Sequence, residues 1–212
     1  MQTKRKWLLA GAILVAATTG PAHAALISAT NSTGGLANAS FIDRSVGVVS
    51  TGTVLDVDIL VEWSKCGAEG ATSDFFCSSG GFSPFAGEAY MNLTGPTGTN
   101  VVLFPSSYFT GPGSSINVTN TFDDEAPSIL PTIIQSGTFQ PTGSLSDFDG
   151  TDAFGTWTLR IGDTVGLDPI LFRSFTLNIR TTDNGVSVPE PGSLALFGLG
   201  LIGLGFLRRR RS

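Results

Sequence analysis

Hydrophobic and polar residues alternate along residues 55–63. Leu55, Val57, Ile59, Val61 and Trp63 take the odd positions, and Asp56, Asp58, Leu60 and Glu62 the even ones. A period of two sends successive side chains to opposite faces, so the stretch predicts a strand with one buried face. The alternation recurs over residues 156–161, with Trp157, Leu159 and Ile161 inward, and over 174–179, with Phe175, Leu177 and Ile179 inward. Residues 101–104 are a short continuous apolar run, and 89–93 and 116–122 are weaker strands. Gly, Pro, Ser, Asn and Asp fill the gaps, and no long helical periodicity interrupts them. Short strands punctuated by turn residues predict an all-β body, a β-sandwich or jelly roll of about eight strands.

The two ends break this pattern. Lys4, Arg5 and Lys6 precede an apolar run from Trp7 to Ala17, and Ala22 and Ala24 flank His23 with small side chains. Positive, apolar and small-residue regions in that order make a secretory signal peptide, residues 1–24, cut by signal peptidase after Ala24. At the other end Val188, Pro189, Glu190 and Pro191 lead into an uncharged stretch from Ser193 to Leu207, closed by Arg208, Arg209, Arg210 and Arg211. The run from Leu194 to Leu207 is short beside the roughly 18–20 apolar residues of an ordinary span. It predicts a short C-terminal transmembrane helix, with the arginines held on the cytoplasmic side. Gly198, Gly200 and Gly203 spell the dinucleotide-binding pattern. That pattern needs a strand before it and a βαβ unit around it, so in a hydrophobic tail it carries no such meaning.

The tail resembles the PEP-CTERM sorting signal of exported bacterial proteins, and Val188, Pro189, Glu190 and Pro191 carry the resemblance. It implies that an exosortase-type processing enzyme recognises the tripeptide around Glu190 and removes the anchor. The protein would then pass from an inner-membrane intermediate to the cell surface or the extracellular matrix. Two prolines suit such a role, because they hold the segment extended and deny it helix and sheet hydrogen bonds. The chain then divides into residues 1–24, a single body over 25–187, and the sorting and anchor segment 188–212.

Charge sharpens this division. Between residues 25 and 187 the only basic side chains are Arg44, Lys65, Arg160, Arg173 and Arg180, against 16 acids, a net charge of −11. Such a surface repels nucleic acid and suits divalent cations, basic partners or solubility. The only histidine, His23, lies in the signal peptide. Ser-His-Asp and Cys-His catalysis and the common zinc sites are thereby unavailable to the body. Cys66 and Cys77 are the only cysteines. In an exported chain an even pair reads as a disulfide, worth about 2–3 kcal/mol for so small a loop.

A further likeness covers most of residues 45–181. Phe148-Asp-Gly-Thr-Asp-Ala-Phe-Gly-Thr-Trp-Thr-Leu-Arg-Ile161, then Asp163, Gly166, Leu167 and residues 175–179, resemble the closing half of the P domain (P/Homo B) of kexin- and furin-like subtilases. Upstream, Asn92-Leu-Thr-Gly-Pro-Thr-Gly-Thr99 resembles that family's strand and Pro-x-Gly-Thr turn. The resemblance implies a non-catalytic jelly roll that braces a catalytic partner, and in some members binds calcium. This chain departs from the pattern at Glu62-Trp63 and the cysteine-bridged insertion after it, and has Phe175 where a Trp is usual. It has no room for a protease domain.

Three acidic clusters remain as candidate chemistry. Asp147, Asp149 and Asp152 alternate around a glycine in Asp-Phe-Asp-Gly-Thr-Asp, where carboxylates can converge on calcium, although the spacing is not that of an EF-hand. Asp123, Asp124 and Glu125 form the second cluster, and Asp163 and Asp168 the third. A carboxylate-pair glycosidase needs only two acids. A carbohydrate-binding module needs exposed aromatic platforms, whereas Trp63 and Trp157 fall at inward positions of their strands. The sequence therefore favours an exported, non-enzymatic β-sandwich with a structural or adhesive role, toward an extracellular polysaccharide or surface protein. The alternatives are an accessory module that stabilises a separate exported protease, and a carbohydrate-binding module.

Overall fold

The computed structural model describes residues 24–67, 71–77, 83–110 and 115–182. The signal peptide expected over residues 1–24, apart from Ala24, and everything expected of residues 188–212, the anchor helix included, lie outside these residues.

Among the described residues ten strands run in chain order: β1 (Ala24–Asn31), β2 (Gly35–Ala37), β3 (Ser40–Val48), β4 (Val54–Lys65), β5 (Ala89–Thr94), β6 (Asn100–Phe104), β7 (Ile116–Phe122), β8 (Gly137–Phe139), β9 (Gly155–Asp163) and β10 (Ile170–Thr182). They form two sheets. One has the order β1-β10-β4-β7-β8, with β2 also paired to β10, and the other the order β3-β9-β5-β6. Every pairing is antiparallel except β7 with β8. The fold is the all-β sandwich that the alternation predicts.

The inward sets that the period of two picks out are the core. Val57, Ile59, Val61 and Trp63 of β4, Trp157, Leu159 and Ile161 of β9, and Phe175, Leu177 and Ile179 of β10 are all buried. Each fully buried aliphatic or aromatic side chain contributes about 1.5–3 kcal/mol by leaving water. Trp63 packs near Phe104 and Phe109, and Phe148 meets Trp157 edge-on at 4.9 Å. Both indole N–H groups are satisfied, Trp63 donating to Asn120 Oδ1 at 2.9 Å and Trp157 to the Ala153 carbonyl at 3.0 Å.

Leu55 corrects the alternation. Val54 pairs with Thr181 and Asp56 with Arg180, so Leu55 is the extra residue of a bulge, and it is 48% exposed. A bulge shifts the phase of a strand by one, which turns an inward position outward. A second bulge, at Arg173 of β10, turns that side chain across β4. Its guanidinium donates to the carbonyls of Trp63 (3.0 Å), Val118 (3.1 Å) and Phe75 (3.2 Å), and stacks 4.4 Å from the Phe76 ring. The Cys66–Cys77 disulfide closes the same region, joining the residue after β4 to the loop that Arg173 holds.

Candidate functional site

The last residue of β4 carries the most distinctive chemistry of the molecule. Residues 64–66 are all buried, so Lys65 points its four-carbon stem and its ammonium into the protein and is fully buried. Its Nζ donates to Asp163 Oδ1 at 3.1 Å and to the Asp168 carbonyl. It also lies 3.6 Å from Glu88 Oε2 and 3.6 Å from Asp168 Oδ2. Three different parts of the fold supply these acids. Asp163 ends β9, Asp168 sits in the β9–β10 connection, and Glu88 closes a 3-10 turn, Ala86–Glu88, just before β5. Carboxylate oxygens of Glu88, Asp163 and Asp168 all fall within 4.8 Å of one another.

Burial governs the electrostatics here. Removing a carboxylate from water disfavours its charged form. Burial pushes Glu88 up to about 7; next in size is the hydrogen bond that its protonated form donates to Asp168. Asp163 is also raised by burial, against the pull of Lys65. Glu88 Oε2 and Asp163 Oδ2 are buried with no hydrogen-bond donor reaching them. Asp168 is better served, since its side chain accepts the Phe85 amide.

This donor set suits a cation, and the cation it holds is the Lys65 ammonium. A calcium ion needs six to eight oxygens around it and none of the space taken by an amine. With Nζ hydrogen-bonded to Asp163 and enclosed by the other two acids, these residues do not fit calcium as built.

Asp147, Asp149 and Asp152 do not converge as the sequence suggested. Among the described residues the only set of three such acids whose oxygens share one small volume is the Lys65 set. Asp147, Asp149 and Asp152 are all exposed. Asp152 Oδ1 accepts the amides of Phe154 (3.0 Å) and Gly52 (3.3 Å), so it fixes a turn. Asp123 also fixes a turn, accepting the Glu125 amide at 2.7 Å, and Asp124 ties its loop to the next by accepting the Ser144 hydroxyl and Ser146 amide, both at 2.8 Å.

At the opposite end of β4 a groove of about 420 Å³ is lined by Ala24, Leu55, Asp56, Asp58, Asp123, Glu125 and Arg180. Asp58 is pushed up to about 6, by burial first and then by Asp56 and Asp123. Arg180 reaches Asp56 at 3.5 Å but is 62% exposed, so water shares the pairing. Tyr108 is tied down by its hydroxyl, which donates to the Leu130 carbonyl, and both body tryptophans are buried.

Sequence reasoning found Asp163 and Asp168 as acids and missed Lys65 and Glu88 as their partners. One signal was available. Lys65 is the only lysine after Lys6, and it follows an alternating strand that ends in Trp63.

Residues 187–211 match the PEP-CTERM protein-sorting motif, so the chain carries that sorting segment. No curated protein sequence matches the chain. Among solved structures it is similar to a complex of an Aeromonas sobria serine protease with its chaperone, at 15% identity over 78% of this chain and 28% of that one, with a TM-score of 0.41. It is also similar to the serine protease of Aeromonas sobria, at 14% identity over 74% of this chain and 27% of that one, with a TM-score of 0.36. The chain spans under a third of the length of these structures.

Proposed function

We propose that this protein is an exported, non-catalytic β-sandwich, sorted by its C-terminal segment through an exosortase-type enzyme to the cell surface or extracellular matrix, where it has a structural or adhesive role. The observation that carries this reading is the sorting motif at residues 187–211. In this reading residues 1–24 are removed on export. Residues 25–187 are the delivered body, and residues 188–212 are a transient anchor with Glu190 as the recognition element.

The chemistry of the body supports a passive role. No imidazole is available after His23. The most enclosed acids are committed to Lys65, and Asp123, Asp124 and Asp152 accept backbone amides of the loops around them. An acidic, stapled sandwich suits a protein that must stay folded and dispersed outside the cytoplasm.

The test is fractionation of the full chain in an exosortase-bearing host, with Glu190→Ala beside it and an intact mass for each. Wild type is expected in the surface or medium fraction with both ends shortened, and the variant is expected to stay in the membrane fraction. A wild-type chain that keeps its tail, at the same location as the variant, overturns the proposal.

A further inference from the structure

The Lys65 cluster holds more than an ion pair requires. Lysine is ordinarily a surface residue, almost never fully buried. This body has one lysine, and its side chain is 0% exposed, as is that of Asp163. The ammonium is hydrogen-bonded to the carboxyl group, with Nζ 3.1 Å from Asp163 Oδ1. Positions 65 and 163 belong to different sheets, since Lys65 ends β4 of one and Asp163 ends β9 of the other.

We propose that Lys65 and Asp163 condense within the folded sandwich to an amide that joins β4 to β9. The geometry suits that reaction, because Nζ is hydrogen-bonded to the carboxyl whose carbon it would attack. Reacting atoms about 3–3.5 Å apart in a rigid site have already lost the entropy that an intermolecular condensation must lose. Burial disfavours the charged carboxylate of Asp163 and so raises the share of the neutral acid. The neutral amine is the nucleophile, and the neutral acid is the better electrophile. Asp163 Oδ2 is buried with no donor to stabilise a charge on it, which favours the protonated form.

Glu88 completes the set. Its Oε2 is buried 3.6 Å from Lys65 Nζ, with no hydrogen-bond donor reaching it. A carboxyl that titrates near neutral pH can accept one proton and return another, which general acid–base transfer needs. With a pKa of about 7, Glu88 is placed for it. The Lys65 Nζ lone pair attacks Asp163 Cγ, forming the C–N bond. One carboxyl oxygen leaves as water with two of the three ammonium protons, carried in turn by Glu88. An ammonium and a carboxylate become a neutral amide, with no oxidant or other reagent. Glu88 is the least enclosed of the three acids, with 18% side-chain exposure, and lies on the side from which the water can leave.

Such a bond would do across the sheets what Cys66–Cys77 does within the neighbouring loop, one residue away along the chain. It would also remove the buried charge pair and leave the Asp163 carbonyl as an acceptor.

Mass spectrometry of the full chain, denatured and reduced, tests this directly. The expected mass is one water short of that calculated from the processed sequence. Trypsin is expected to fail after Lys65, and fragmentation to recover a branched species linking the Lys65 peptide to the one that begins at Ile161 and contains Asp163. Glu88→Gln, folded by circular dichroism, is expected at full mass. A full-mass wild type releasing a linear peptide of residues 45–65 overturns the proposal. So does a water lost elsewhere, as a succinimide at Asp149-Gly150, with that peptide still linear. A folded Glu88→Gln protein that is also one water short overturns the role given to Glu88.

Discussion

The two ends of β4 carry the same kinds of residue in opposite settings. At Lys65 three acids surround one cation in the interior, and the side chains of Lys65 and Asp163 have no exposure. At Asp56 and Asp58 the acids line an open groove, and their cation, Arg180, is largely in water. Coulomb attraction at a given distance rises as the effective dielectric falls, but so does the cost of taking each charge from water. The first end is therefore committed: each group there depends on the others. The second is adjustable, since water substitutes for any partner that is lost.

The largest effect expected from breaking this contrast is at Lys65. Lys65→Met strands Asp163, Asp168 and Glu88 together without a cation, and the folded state is expected to lose about 3–5 kcal/mol, read by urea unfolding. A loss below about 1 kcal/mol would mean that the site behaves like the exposed end. Replacing Cys66 and Cys77 together by serine comes next. It frees a loop with a separation of 11 residues, and the expected loss is about 3 kcal/mol, seen as a lower denaturation midpoint that matches wild type in reductant.

Stability at both ends of β4 depends on pH. Glu88 and Asp58 both hold a proton more tightly when folded, so each contributes stability that is fully present below its ordinary pKa and lost as the pH rises through its folded value. The windows run from 4.5 to about 7 for Glu88 and from 3.8 to about 6 for Asp58. Thermal melts across this range should show a falling melting temperature. Glu88→Gln should flatten the upper part, between about pH 6 and 7, and Asp58→Asn only the lower part. The smallest effect belongs to Arg180→Ala, expected within about 0.5 kcal/mol of wild type because an exposed pair contributes little.

Much of the architecture was legible in the sequence, and the exceptions have particular causes. The alternation in β4, β9 and β10 was readable because one face of each strand packs against the opposite sheet. Leu55 failed because a bulge is a property of pairing with Arg180 and Thr181, which no single strand records. The strands β1, β2 and β3 carried little signal. β1 shows no fully buried position, and β3 only Val46 and Val48, so neither has the apolar stripe that announces a strand. Asp147, Asp149 and Asp152 looked like a site because their spacing is regular. The chain uses Asp152 for a turn and leaves all three in solvent.

By itself, then, the sequence determined what depends on neighbours along the chain. That comprises the all-β character, the inward residues of the central strands, the cysteine pair and the sorting segment. Tertiary structure alone decided which acids meet which base. Lys65 is 98 residues from Asp163 and 23 from Glu88, and nothing local to any of them records the others. Their meeting depends on two sheets closing over one core, and the resulting loss of water turns four ordinary charged residues into a coupled site.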